Sequence, residues 1–225
     1  MGTATGTYGG RSAQERRAER CERFLAAGLE LFGAGPGYRA SSVTALCEAA
    51  GLSTRQFYEE FRNLEDVLAR LHLRVNDLTE QEVVRALADA AADGFEQRVT
   101  VVLRAYVTAV TRDPRRLRIT FVEIVGVSAA LERQRLLRRA RWVELILAEA
   151  AAAAARGEIA PRDHRIAATA FIGAVNGLLH DWTAGQFEAT LDQVVDELTG
   201  LLLGAVRPRE RRAAPAAPKA SPDGR

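Results

Sequence analysis

The chain has 225 residues, of which 48% are hydrophobic and 27% charged. That is enough to bury a substantial core as one domain or two small ones. The formal net charge of +2 excludes a diffuse nucleic-acid coat, which depends on a dense excess of cations, so any DNA contact has to be focused. Ala, Leu, Glu and Arg dominate, and these are good helix formers. Val, Ile and Thr never alternate over a strand's length, so the expectation is an all-α protein. Met1 to Gly10 lacks the apolar core of a signal peptide. The longest apolar stretch, Ile166 to Leu179, contains Asn176 and is too short to cross a bilayer. A cytoplasmic protein with no membrane role is expected.

In chain order, Met1–Gly10 is a Gly/Thr-rich arm. Ser12 and Glu15 have capping-box spacing, in which each side chain satisfies a free amide of the other. A helix follows to about Phe32, with Phe24, Leu25, Gly28, Leu31 and Phe32 on one stripe. The Gly33-Ala-Gly-Pro-Gly37 run stops it. A second short helix follows Ser42 with Val43 and Leu46 inward. It ends at Gly51, which can take the left-handed conformation. Ser53 caps a third helix, with Gln56 at the box position. Asn63 caps a fourth, expected from Leu64 to Ala91 with a break near its middle. Further helices are predicted over Phe95–Thr111, Arg115–Glu123, Ser128–Arg156, Arg162–Ala184 and Phe187–Val206. The Pro/Ala/Arg-rich tail from Arg207 reads as disordered.

Three short helices with a glycine turn before the third form a helix-turn-helix arrangement. Such a motif works by placing the start of its last helix in the major groove. Here that start is Thr54, Arg55 and Gln56, which can address a thymine methyl, a guanine and an adenine. Phe57 and Phe61 give the helix an apolar side, and Tyr58 offers a hydroxyl at phosphate height.

Several pieces of this stretch resemble the TetR family of bacterial regulators. They are Phe24-Leu-Ala-Ala-Gly-Leu-Glu-Leu-Phe32, Gly37-Tyr38, Ser42-Val43, Ala49-Ala-Gly-Leu-Ser-Thr54, and Phe57-Tyr58 with Phe61. The resemblance runs from Arg23 to Ala69, about a fifth of the chain. It implies DNA contacts from Ser42 and Thr44 on the second helix and from Thr54, Arg55, Gln56 and Tyr58 on the third. Arg11, Arg16 and Arg17 can reach the backbone from the N-terminal arm. The sequence departs from the family at three places. The Gly33–Gly37 loop is one residue longer, Leu64 stands where a lysine is common, and Glu59 and Glu60 would repel DNA unless they point away. The expected organisation is an arm over 1–10, a helix-turn-helix domain over 11–62, a helical effector and dimerisation domain over 63–206, and a tail over 207–225.

In the second domain, Gly173 and Gly177 lie four apart on an apolar helix, where backbones can approach closely. With Phe171, Leu178, Trp182, Leu191, Val195 and Leu198 they are the expected dimer surface, because the family resemblance implies pairing through the last two helices. Tyr106, Glu123, Trp142, Asn176 and His180 are polar groups on otherwise apolar stretches, so they are the candidates for binding a small-molecule effector. Three histidines without a ligand motif predict no metal, and no cofactor is expected. Cys21 and Cys47 lack metal or redox spacing.

No GxGxxG, P-loop, HExxH or GxSxG motif is present, so an enzyme is not expected. The reading is a homodimeric, ligand-responsive regulator of a palindromic operator in double-stranded DNA, most simply a repressor. Activation on the same fold, or a helical enzyme or interaction module with no DNA role, are the alternatives at this stage.

Overall fold

A computed structural model describes residues 12–206. The arm over 1–10, Arg11 and the tail over 207–225 lie outside the described residues. The described elements are nine α-helices and two short turns of tighter or wider helix. They are α1 Ala13–Gly33, α2 Val43–Ala50, α3 Thr54–Glu60, α4 Leu64–Asp89, α5 Phe95–Thr111, α6 Pro114–Arg118, α7 Ala129–Ala155, α8 Arg165–Thr183 and α9 Leu191–Val206. A 3₁₀ turn, Tyr38–Ala40, precedes α2, and a π-helical turn, Ile119–Glu123, follows α6.

Local chemistry sets most of the boundaries. Ser12 and Glu15 close a reciprocal capping box at the start of α1. Ser53 and Gln56 do the same for α3, and Asn63 accepts from the Asp66 amide at 2.9 Å to open α4. The turn between α2 and α3 is held by Gly51 at φ +61°. Arg23 donates to the Ala50 carbonyl at 2.7 Å and to the Gly51 carbonyl at 2.9 Å, satisfying acceptors that the end of α2 would otherwise leave open.

Two expectations are corrected. The fourth helix runs unbroken from Leu64 to Asp89, because its inner face stays buried through Val83. The last helix starts at Leu191, not Phe187. Thr190 and Gln193 exchange hydrogen bonds of 2.8 and 3.2 Å there, which is the capping-box spacing again.

The protein has two apolar cores. One gathers α1–α3 and the first turns of α4 around Phe24, Phe32, Leu46, Phe57 and Phe61, and extends to Ile119, Ile124 and Leu131. Phe24 meets Phe57 and Phe61 edge-on at 5.5 and 5.9 Å. The second fills the space among α5, α7, α8 and α9. The seam between the two halves is close: a Cβ added at Gly33 would lie 2.5 Å from Arg115 Cβ and 2.8 Å from its Cα. Only glycine lets α1 approach α6 this way. Among the described residues, no helix is long and apolar enough to cross a membrane.

Candidate DNA-reading surface and effector cavity

The start of α3 is open. Thr54, Arg55 and Tyr58 are exposed, with the Arg55 side chain 89% accessible. Thr44 is exposed on α2, and Ser42 caps that helix by accepting from the Ala45 amide at 3.1 Å. Gln56 is partly committed. Its Oε1 accepts from the Ser53 amide at 2.9 Å and from the Ser53 hydroxyl at 3.0 Å, which ties the side chain back to the helix start.

The two glutamates on α3 separate. Glu60 turns inward, its side chain 2% exposed, and accepts from Arg17 Nε and Arg20 Nη2, both at 2.8 Å. Glu59 stays at the surface and accepts from Arg55 Nε at 3.3 Å. Glu60 therefore offers no repulsion to DNA. Arg17, expected to reach the DNA backbone, donates its Nε to Glu60 while its side chain stays 63% exposed. Arg16 is exposed on the same helix, and Arg11 lies outside the described residues. At α4, Leu64 supplies no cation, and its helix start is closed by Asn63.

Among the effector candidates, Tyr106 and Trp142 come together. Their rings pack edge-on, centroids 5.2 Å apart, on the wall of an apolar cavity of about 70 Å³. Val83, Val99, Phe171, Ile172 and Leu202 complete much of the lining. Burial raises the pKa of the Tyr106 phenol, so it stays protonated. Sequence reasoning missed the cavity's polar rim. Arg98, 9% exposed, donates to Glu149 at 2.7 Å and to the Ala90 carbonyl at 2.7 Å. The available signal was an arginine within the apolar stripe Phe95, Val99, Leu103.

The other three candidates are placed differently. Glu123 lies at the seam between the halves, accepting from the Tyr38 amide and Arg118 Nε, both at 2.8 Å. Its chemistry is to hold the 33–40 loop, where Gly37 has φ +93°. His180 is half-exposed and paired with Asp181 at 3.1 Å, because it faces away from the core. Asn176 donates to the Ile172 carbonyl at 2.6 Å and borders a smaller, polar space next to Tyr106 and Trp142.

Of the expected dimer residues, Phe171, Val195 and Leu198 are buried within the protomer, at 5%, 0% and 0% exposure, and so form core, not surface. Leu178, Trp182 and Leu191 pack partly against that same core. Gly177 faces outward, while Gly173 is half-buried beside Arg139. A Cβ at Gly177 would meet nothing within 4 Å, and one at Gly173 would meet only Arg139.

An open polar helix start on a helix-turn-helix, joined to an all-helical body that encloses an apolar cavity, is the build of a ligand-responsive DNA-binding regulator. Residues 93–206, just over half of the chain, match the family model described as "Tetracyclin repressor-like, C-terminal domain". The chain belongs to the TetR family of transcriptional regulators. Its fold is similar to that of the fatty acid degradation regulator FadR from Bacillus halodurans, with a TM-score of 0.71 and 20% identity over 84% of this chain and 97% of that one. FadR from Bacillus subtilis, solved with stearoyl-CoA, gives 0.70 and 18% over 83% and 99%. AibR, solved with isovaleryl coenzyme A and operator DNA, gives 0.63 and 21% over 81% and 97%. No curated protein sequence matches the chain.

Proposed function

We propose that the protein is a homodimeric repressor that reads a palindromic operator through α3 and releases it when an apolar effector enters the cavity. The observation that carries DNA reading is the exposed Thr54–Arg55–Tyr58 face, with Glu60 turned inside the domain. Among the described residues Arg55 is held only by an exposed pair with Glu59, and such pairs contribute little, so the guanidinium can exchange that partner for a guanine at small cost. The dimer reading is supported by the open outer faces of α8 and α9. There Gly177, Gly200 and Gly204 leave room for a second backbone, and Leu201 is 45% exposed.

The domain division at residue 62 fits this reading, with 11–62 carrying the DNA surface and 63–206 the cavity and the pairing helices. An effector bound among α4, α5, α7, α8 and α9 stabilises whichever dimer geometry holds it better, and DNA affinity falls by that difference. The similar folds of FadR and AibR were solved with acyl-CoA molecules, and an acyl chain suits a cavity lined by aliphatic and aromatic side chains. The protein works where its DNA is, in the cytoplasm, and the reading includes no enzymatic step.

The test is fluorescence anisotropy on DNA from the intergenic region flanking the gene, against random DNA at physiological salt. Wild type should prefer the flanking DNA. Arg55→Ala should lose about 5- to 100-fold of that affinity, the value of one good base contact. Tyr58→Phe should weaken binding to specific and random DNA alike. Equal affinity of wild type for both DNAs removes the regulator reading.

A further inference from the structure

Beside the apolar cavity lies a second space of about 20 Å³. Tyr106, Trp142 and Ile172 line both, so the two form one site with two compartments. The smaller one is polar, and its volume suits one water or one compact head group. Most of its polar groups are already satisfied. Arg135 is paired with Glu132 at 2.8 Å, and Arg138 with Asp77 and Glu80. Asn76 and Asn176 donate to the carbonyls of His72 and Ile172 at 2.8 and 2.6 Å. His72 Nδ1 lies 3.0 Å from Gln134 Nε2.

Two groups remain. Thr120 Oγ1 is buried with no hydrogen-bond partner. Arg139 is partly buried and makes no hydrogen bond among the described residues, its charge acting only at longer range on the Glu132 carboxylate. Its Nη2 would lie 3.8 Å from a Cβ placed on Gly173, so the glycine leaves the guanidinium lying against α8. A partly desolvated cation gains from a carboxylate partner, and a buried hydroxyl gains from an acceptor.

We infer that the effector is an apolar carboxylate, with its hydrocarbon in the larger compartment and its carboxylate paired with Arg139 and accepting from the Thr120 hydroxyl in the smaller. The inference rests on the effector reading above and adds the head-group chemistry and the residue that selects it. A coenzyme A thioester has no charge at the carbonyl to pair with Arg139.

The probes are decanoate, 1-decanol and decanoyl-CoA, titrated into the full chain with Trp142 fluorescence and calorimetry as readouts. Wild type should bind decanoate at least tenfold more tightly than 1-decanol. Arg139→Gln should erase that preference while leaving 1-decanol binding unchanged, which also shows that the variant is folded. Arg139→Lys, which keeps the charge, should retain part of it. Equal binding of acid and alcohol by wild type overturns the pairing with Arg139 while leaving the cavity reading standing. So does an equal loss of both probes in Arg139→Gln, or decanoyl-CoA binding more tightly than decanoate. Failure of all three probes to bind removes the effector cavity and this inference together.

Discussion

Arg20 reaches beneath the third helix to donate from Nη2 to the Glu60 carboxylate at 2.8 Å, inside the domain that carries the candidate DNA-reading face. Arg17 closes on the same carboxylate from the other side. Glu60→Gln should therefore destabilise the domain. Removing one partner of a buried pair costs about 3–5 kcal/mol in full burial, and because both arginines reach solvent, about 1–3 kcal/mol is expected. Thermal unfolding should show a fall in Tm of several degrees. An unchanged Tm would mean that the pair is held in place without contributing to stability.

The contact between Gly33 and Arg115 leads to a second expectation. A methyl at Gly33 collides with backbone as well as side chain of α6, so the neighbour cannot yield by rotating a bond. Gly33→Ala should cost about 1–3 kcal/mol as an overpacked site. It should also alter the angle between α1 and α6, and with it the effect of ligand on DNA affinity. Urea unfolding reads the first effect and DNA titration with and without effector the second. Wild-type values in both would mean that the seam is looser than its geometry.

His72 makes stability depend on pH. Its ring is 2% exposed, and burial, with Arg138 and Arg135 nearby, pushes its pKa down from 6.5 to about 4. The folded state thus keeps the ring neutral while the unfolded chain protonates it. The stability associated with the neutral ring is complete above pH 6.5 and declines as pH falls toward 4. At pH 5 the loss is about 2 kcal/mol. Urea titrations at pH 7 and pH 5 should show a smaller drop for His72→Gln than for wild type. Equal drops would assign the acid sensitivity to other groups.

Gly177→Leu separates dimerisation from folding. The added side chain meets nothing within 4 Å of its first carbon in the protomer, so the protomer should fold normally by circular dichroism. Sedimentation velocity should show a shift toward monomer, because the bulk falls where a second backbone would pack. An unchanged mass would put the pairing face elsewhere.

The helix starts were legible from residue identity because a cap is a negotiation between residues three apart. Ser12 with Glu15, Ser53 with Gln56, and Asn63 each act within one turn, whatever the rest of the chain does. Thr190 with Gln193 obeys the same rule and marks the true start of α9, although the apolar pattern before it drew the predicted start back to Phe187. The exposed face of α3 was legible for a related reason. Phe57 must be buried, which turns Arg55 outward on a helix of this pitch, while Thr54 is exposed because it opens the first turn.

What the chain's order of residues determined by itself, then, was the helical class, the positions of the caps and the polarity of α3, all of which depend on neighbours within a turn or two. Tertiary structure alone decided which of two adjacent glutamates is buried, since that depends on Arg17 and Arg20 arriving from α1, forty or more residues away. It also moved Glu123 to the seam and His180 to the surface, placed Phe171, Val195 and Leu198 in the protomer core, and set Arg139 against Gly173 at the edge of the cavity. A polar residue on an apolar stretch has several ways to be satisfied, and only the packing of helices distant in sequence selects among them.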